Sequence, residues 1–480
     1  MSLPLYLMND SIPLDTSISE RVRKQRVTPG FDQETKSIRW LIWLYIILWL
    51  IEGGLRRWFL PGLATPLLLI RDPLVIAIYF LAYNKNVFPF NGFFYSGIVL
   101  AILTFVNAMV VGHGNLAVAL YGVRCDFLHV PLIFIIGKVL RQKDLVTLAK
   151  IAVWLVIPYT ILLVIQFHAP QDAWVNWGVG GSLEGAGFDG AQGHFRPPGT
   201  FSFIIGPAEL YSLFTACWFI LAITCKISPV QMILSGAAIL IAIPISISRT
   251  LFLSVAIVAV SGIITLFMSK KVAIATVLKV FFALIVLTLL AVQLPAFKDG
   301  MEAFQARWEA ATTDNGGFQG AIIGRVVNDL FGAFDEVKFS GLGTGYSSNV
   351  GQKILTQDVG FGASEAEWGR LLFDNGFILG FALIVYRIAL TGFIVWTAWK
   401  AWQRSLPQAF IFGSAAFFLL LNGQWGQTTE LGAAVIAGGL TLAAASDPKT
   451  ASLKIPLKGY SRLRKSKKRR SRDEEVELVA

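Results

Sequence analysis

The chain has 480 residues, of which 55% are hydrophobic and only 15% charged, against roughly 25% charged in ordinary soluble domains. That balance excludes a string of water-soluble domains; apolar stretches of about 20 residues recur almost end to end and point to one polytopic membrane domain. The formal charge of +11 does not signal nucleic-acid binding. Much of it lies in RVRKQR at 21–26 and RLRKSKKRR at 462–470, and basic clusters beside hydrophobic spans act as cytoplasmic topology anchors.

The first 35 residues are polar and mixed, and no small-residue cleavage pattern follows the first apolar run. That run is expected to stay as a membrane span rather than leave as a signal peptide. In chain order the candidate spans are 38–56, 65–83, 94–112, 117–138, 147–167, 201–224, 230–247, 249–268, 273–294, 371–398, 407–422 and 428–446. Helices are the expected form, because hydrocarbon offers no partner to exposed backbone groups. The expected fold is therefore all-α, with about twelve transmembrane helices in a membrane domain over 38–447. A cytoplasmic segment, 1–37, precedes it and a basic, disordered cytoplasmic tail, 448–480, follows it.

With both termini inside, the inner loops carry Lys85, RQK at 141–143, Lys226, KK at 270–271 and KAWQR at 400–404, as the positive-inside rule expects. The same parity puts two long loops, 168–200 and 295–370, outside. The second holds ten acids against six bases, includes a plausible helix at 318–334, and connections this long usually serve function.

Arginines on the outer side are informative because topology does not ask for them there. They include Arg56, Arg57, Arg71, Arg124, Arg196, Arg249, Arg325 and Arg370. Intramembrane charge costs about 2.5–3.5 kcal/mol on insertion scales unless paired or hydrated. Structural pairing explains some of them most simply: Arg56 and Arg57 with Glu52, and Arg124 with Asp126. Arg196, Arg249, Arg325 and Arg370 reach the outer face from different elements, and guanidinium forks match phosphate oxygens at two points. A lipid-linked diphosphate is the natural partner for such a set. ASEAEWGR at 363–370 adds Glu365 and Glu367, candidate general bases for activating a sugar hydroxyl; Ser364 with Glu367 also reads as a capping box. His194, beside Arg196, is a candidate substrate contact, as is Arg124. The four histidines make no metal centre, and Cys125, Cys217 and Cys225 form no CxxC pair. No cofactor is expected.

These motifs in this order resemble the bacterial O-antigen ligase and polymerase superfamily, over roughly residues 90–445. The resemblance rests on RPPGTFSFIIGPAEL at 196–210, SISRTLFLSV at 246–255, GLGTG at 341–345 and SEAEWGRLLFDNGFILG at 364–380. It implies a GT-C-like fold in the bacterial inner membrane, with the two large loops periplasmic. The implied donor is an undecaprenyl-diphosphate-linked glycan, gripped through its diphosphate by Arg196 and Arg249. Flippase and chain-length regulator proteins are the implied partners. Many ligases of the superfamily carry a His-Asn pair where this chain has Ser364 and Glu365. That difference favours a polymerase over a lipid A-core ligase. Two non-enzyme classes compete: a transporter of a lipid-linked solute, and a scaffold subunit that has lost its catalytic groups.

Overall fold

The computed structural model describes residues 33–446 except 186–188, 225, 269–280, 283–284, 286–288, 290–291, 294, 315–337 and 357–365. The candidate helix at 318–334 and both charged termini lie outside the described residues. Helices occupy every candidate span except 273–294, most of which also lies outside. Nine of them are long and apolar enough to cross a bilayer among the described residues: Lys36–Phe59, Pro61–Asn84, Gly92–Val110, Leu116–Val139, Gln142–His168, Gly206–Thr224, Arg249–Met268, Glu367–Gln403 and Thr428–Ser446. Pro229–Ile245 and Pro407–Asn422 are shorter apolar helices between them. Among the described residues one short antiparallel pairing, Asp189–Ala191 with His194–Phe195, interrupts the helical pattern. The protein is thus all-α with the character of a multi-pass membrane protein.

Gly206–Thr224 and Thr428–Ser446 lie at the centre, buried nearly all round. The outer helices turn large apolar side chains such as Trp40, Phe80, Val110 and Trp154 outward, a surface that water would penalise and lipid would not. Without a hydrophobic drive between helices in lipid, close backbone approach matters. At Gly439 a Cβ would lie 2.6 Å from the Cβ of Ile136, so the central helix meets Leu116–Val139 only because glycine stands there.

Glu367–Gln403 has 37 residues and would be about 55 Å long if continuous. It breaks at Gly376, where φ is 74° and ψ −179°, a region essentially reserved for glycine. The segment around GLGTG fills the break. Leu342 N–H donates to the Phe373 carbonyl (2.9 Å), Gly343 N–H to that of Asp374 (2.7 Å), and Phe377 N–H to that of Phe339 (3.1 Å). Asp374 then caps the following turn, its two carboxylate oxygens accepting from Ser347 N–H (2.9 Å) and Gly345 N–H (3.2 Å).

Replacing Gly376 by alanine forces a Cβ against Phe339 and Ser340 backbone and is expected to cost about 2 kcal/mol or more. Gly392, in the same helix, has open space around it, so Gly392→Ala is expected to be neutral. Thermal unfolding of the two variants in detergent checks both.

Candidate functional site

Four helices begin at one place. Gly206–Thr224, Arg249–Met268, Glu367–Gln403 and Thr428–Ser446 all contribute residues from their first two turns to a cavity of about 460 Å³. Helix N-termini carry unpaired N–H groups and partial positive charge, which favour anions. The wall farther along is apolar, with Leu253, Ile257, Phe418 and Leu419.

Three arginines from three elements line this cavity: Arg196, Arg249 and Arg307. The segment carrying Arg196 is locked from several sides. Pro197 and Pro198 restrict it, Gly199 N–H donates to Gln166 Oε1 (2.8 Å), and the Thr200 hydroxyl donates to the Leu50 carbonyl (2.7 Å). Buried Arg57 donates to the carbonyls of Gly199 (2.9 Å) and Phe201 (3.0 Å), and also to those of Val175 and Trp177. Arg249 opens its helix after a three-residue turn in which buried Ile247 takes φ 46°, an unusual conformation for a β-branched residue. Ser248 Oγ caps that helix by accepting from Leu251 N–H (3.3 Å). Arg307 comes from Pro295–Asp314, held against the start of Arg249–Met268 by ring contacts among Phe252, Phe304 and Trp308 at 6.0–6.1 Å between centroids. Arg307 also donates to the Gly190 carbonyl (3.2 Å), joining the two long loops.

Beside the cavity runs a buried ion-pair lattice. Arg370 donates to Glu367 (2.8 and 2.9 Å), Asp126 (2.7 Å) and Asp374 (3.4 Å). Arg387 pairs with Glu367, lies over the Trp425 ring at 3.9 Å, and donates to the carbonyls of Leu420 (3.0 Å) and Gly423 (2.8 Å). The Trp425 N–H also donates to Glu367 (3.3 Å). Glu367 lines the cavity with both carboxylate oxygens already engaged.

The residues expected from sequence therefore divide. Arg196, Arg249 and Glu367 meet at one cavity. Arg370 sits within the lattice and is not among the lining residues, because three carboxylates surround it. Arg124 forms a two-point pair with Asp72 (2.8 and 2.8 Å) rather than with Asp126, which belongs to Arg370. Asp72 also contacts buried His129 (3.0 Å). His194 stacks on Phe167, 4.1 Å between centroids, and is not among the residues that line the cavity. Arg325, Glu365 and Ser364 lie outside the described residues. The capping-box expectation is corrected: the helix begins at Glu367 with Ala366 as its cap and no side-chain cap bond, so Glu367 is the first helical residue and pairs with arginines. The expected Glu52 pairing is also corrected in part. Glu52 pairs with Arg71 (2.9 Å) and, more loosely, with Arg56 (3.7 Å), while Arg57 takes carbonyls instead.

Sequence reasoning missed Arg307, Arg387, and the site roles of Glu209 and Glu430. Glu209 is 3% and Glu430 7% exposed, yet both line the cavity. Arg387 in the middle of an apolar run carried the signal, since charge there is expensive. No protein-family model, curated protein or solved structure matches the chain.

Removing one partner of a buried pair costs about 3–5 kcal/mol because the other charge is left uncompensated. Glu367→Gln and Arg387→Met are each expected to lose stability on about that scale. The double variant is expected to lose at least 1 kcal/mol less than the sum of the two, roughly the coupling of contacting charges. A double-mutant cycle in detergent measures it, and additive losses would show that the pair is not coupled.

Proposed function

We propose that the chain is a membrane glycan polymerase of the O-antigen ligase and polymerase type. It transfers an undecaprenyl-diphosphate-linked oligosaccharide repeat to a sugar hydroxyl of another lipid-linked unit. The reading places the reaction at the periplasmic face of the bacterial inner membrane, in a GT-C-like arrangement of twelve spans with both termini cytoplasmic. One observation carries it: Arg196, Arg249 and Arg307 line one cavity, at the shared starts of four helices, with an apolar wall beyond them.

That combination suits an anionic headgroup on a long apolar chain. Guanidinium forks bind phosphate oxygens at two points, and three of them line this one cavity. The apolar wall accepts the first isoprene units. Transfer then runs as an in-line displacement: the acceptor hydroxyl attacks the anomeric carbon, and the arginines hold charge as it develops on the departing diphosphate. A single displacement inverts the anomeric centre. Glu367, bound to two arginines, suits positioning the start of its helix better than taking a proton. Of the two candidate bases read from the sequence, the other, Glu365, lies outside the described residues.

The test is purified protein in liposomes, supplied with lipid-linked glycans extracted from producing cells whose own gene for this chain has been deleted. Longer lipid-linked products are expected from the wild type. Arg196→Ala, Arg249→Ala and Arg307→Ala are each expected to weaken binding of undecaprenyl diphosphate by about tenfold to a hundredfold, since hydrogen bonds to charged groups are worth about 1.5–3 kcal/mol. A single product made only when lipid A-core is added would replace polymerase by ligase. Movement of labelled lipid across the bilayer without transfer would replace the enzyme by a transporter.

A further inference from the structure

Resting on that reading, we propose that Glu209 and Asn422 form the acceptor-sugar subsite of the cavity, and that the Glu209 carboxylate takes the proton from the attacking hydroxyl. Glu209 is the fourth residue of Gly206–Thr224 and Asn422 the last of Pro407–Asn422. Both line the cavity.

Among the described residues, three buried acceptor oxygens there have no hydrogen-bond partner: both carboxylate oxygens of Glu209 and Oδ1 of Asn422. Buried acceptors left unpaired cost about 1–3 kcal/mol each, so three in one cavity point to a ligand that brings donors. A neutral polyol brings several hydroxyl donors on one frame, which suits three acceptor oxygens in one cavity. A cavity of about 460 Å³ lies within the roughly 300–1,000 Å³ of small-molecule sites.

The other two carboxylates on the cavity are occupied. Glu367 is bound to Arg370, Arg387 and the Trp425 N–H, and Glu430 accepts from the Gln424 N–H. Glu209 alone of the three has no hydrogen-bond partner on either oxygen. It also stands thirteen residues after Arg196, so one locked segment delivers both the diphosphate contact and the base.

The step balances. The acceptor oxygen forms a bond to the anomeric carbon and its proton passes to Glu209. The bond from that carbon to the diphosphate oxygen breaks, and the electron pair leaves on the undecaprenyl diphosphate held by the arginines.

Glu209→Gln keeps the shape and an accepting oxygen but cannot take the proton. With the same extracted glycans, its transfer rate is expected to fall by about 10²–10⁴-fold, the usual worth of a positioned acid or base. Its affinity for undecaprenyl diphosphate is expected to stay within about twofold, because that ligand lacks the sugar. Glu209→Ala is expected to regain part of its activity with added formate, which a merely structural role would not allow. Asn422→Ala is expected to raise the KM for acceptor with kcat held. Transfer by Glu209→Gln at the wild-type rate, or losses of transfer and undecaprenyl diphosphate binding that run in parallel, would overturn the subsite and leave the polymerase reading standing. If the wild type itself made no longer products from the extracted glycans, the polymerase reading would fail and the subsite with it.

Discussion

Glu367 is the carboxylate on which the geometry of this molecule turns. It accepts from two arginines and one backbone N–H, and each partner fixes a different element. Through Arg370 it ties the start of its helix to Asp126 on Leu116–Val139 and to Asp374 at the helix break. Through Arg387 it ties the same helix beyond the break to the carbonyls that end Pro407–Asn422 and open the next turn. A buried ion pair gains little net stability over apolar packing, but a broken one is costly. The lattice therefore acts as a constraint: the helix start, the break and the turn at 423–425 hold their places together or not at all.

The cavity inherits its shape from that constraint. The turn held by Arg387 carries Asn422 and Gln424, and Gln424 in turn holds Glu430. The break at Gly376 is what lets the first two turns of the long helix run apart from the remainder and present Glu367 at the cavity. Arg196, Arg249 and Arg307 arrive on separately locked segments. Charge on this molecule is thus divided. One set pairs with its own kind and holds helices; the other lines the cavity.

Much of this was legible in sequence. Apolar runs located the helices because only a helix satisfies its backbone in hydrocarbon, and short turns between spans left little freedom in where they begin. Arg196, Arg249 and Glu367 stood out because charge beside an apolar run needs a reason. Partners were not legible. Arg124 and Asp126 are two residues apart and so point to different sides of their helix, which sends one to Asp72 and the other to Arg370. Ser364 and Glu367 had capping-box spacing, but the start of the helix depends on Arg370 and Arg387, which spacing alone does not weigh. Arg307 was hidden because residues 295–370 read as one long connection. The apolar positions Phe297, Phe304 and Trp308 fall on one helical face, and that pattern was the available signal.

A lattice of ion pairs and a cavity with unpaired acceptor oxygens, side by side, constrain each other. If the cavity acids were free to exchange partners with the lattice, Arg370 or Arg387 would neutralise them and the space would close on itself. Arg387 is kept from doing so by the carbonyls of Leu420 and Gly423 and by the Trp425 ring beneath it, and Arg370 by the three carboxylates that surround it. The cost of holding Glu209 and Asn422 unpaired is sustained by a scaffold in which Arg370 and Arg387 are already committed to other partners. Strain of that kind, carried by a rigid surround and relieved by a ligand, is how a folded chain prepares a site before anything occupies it.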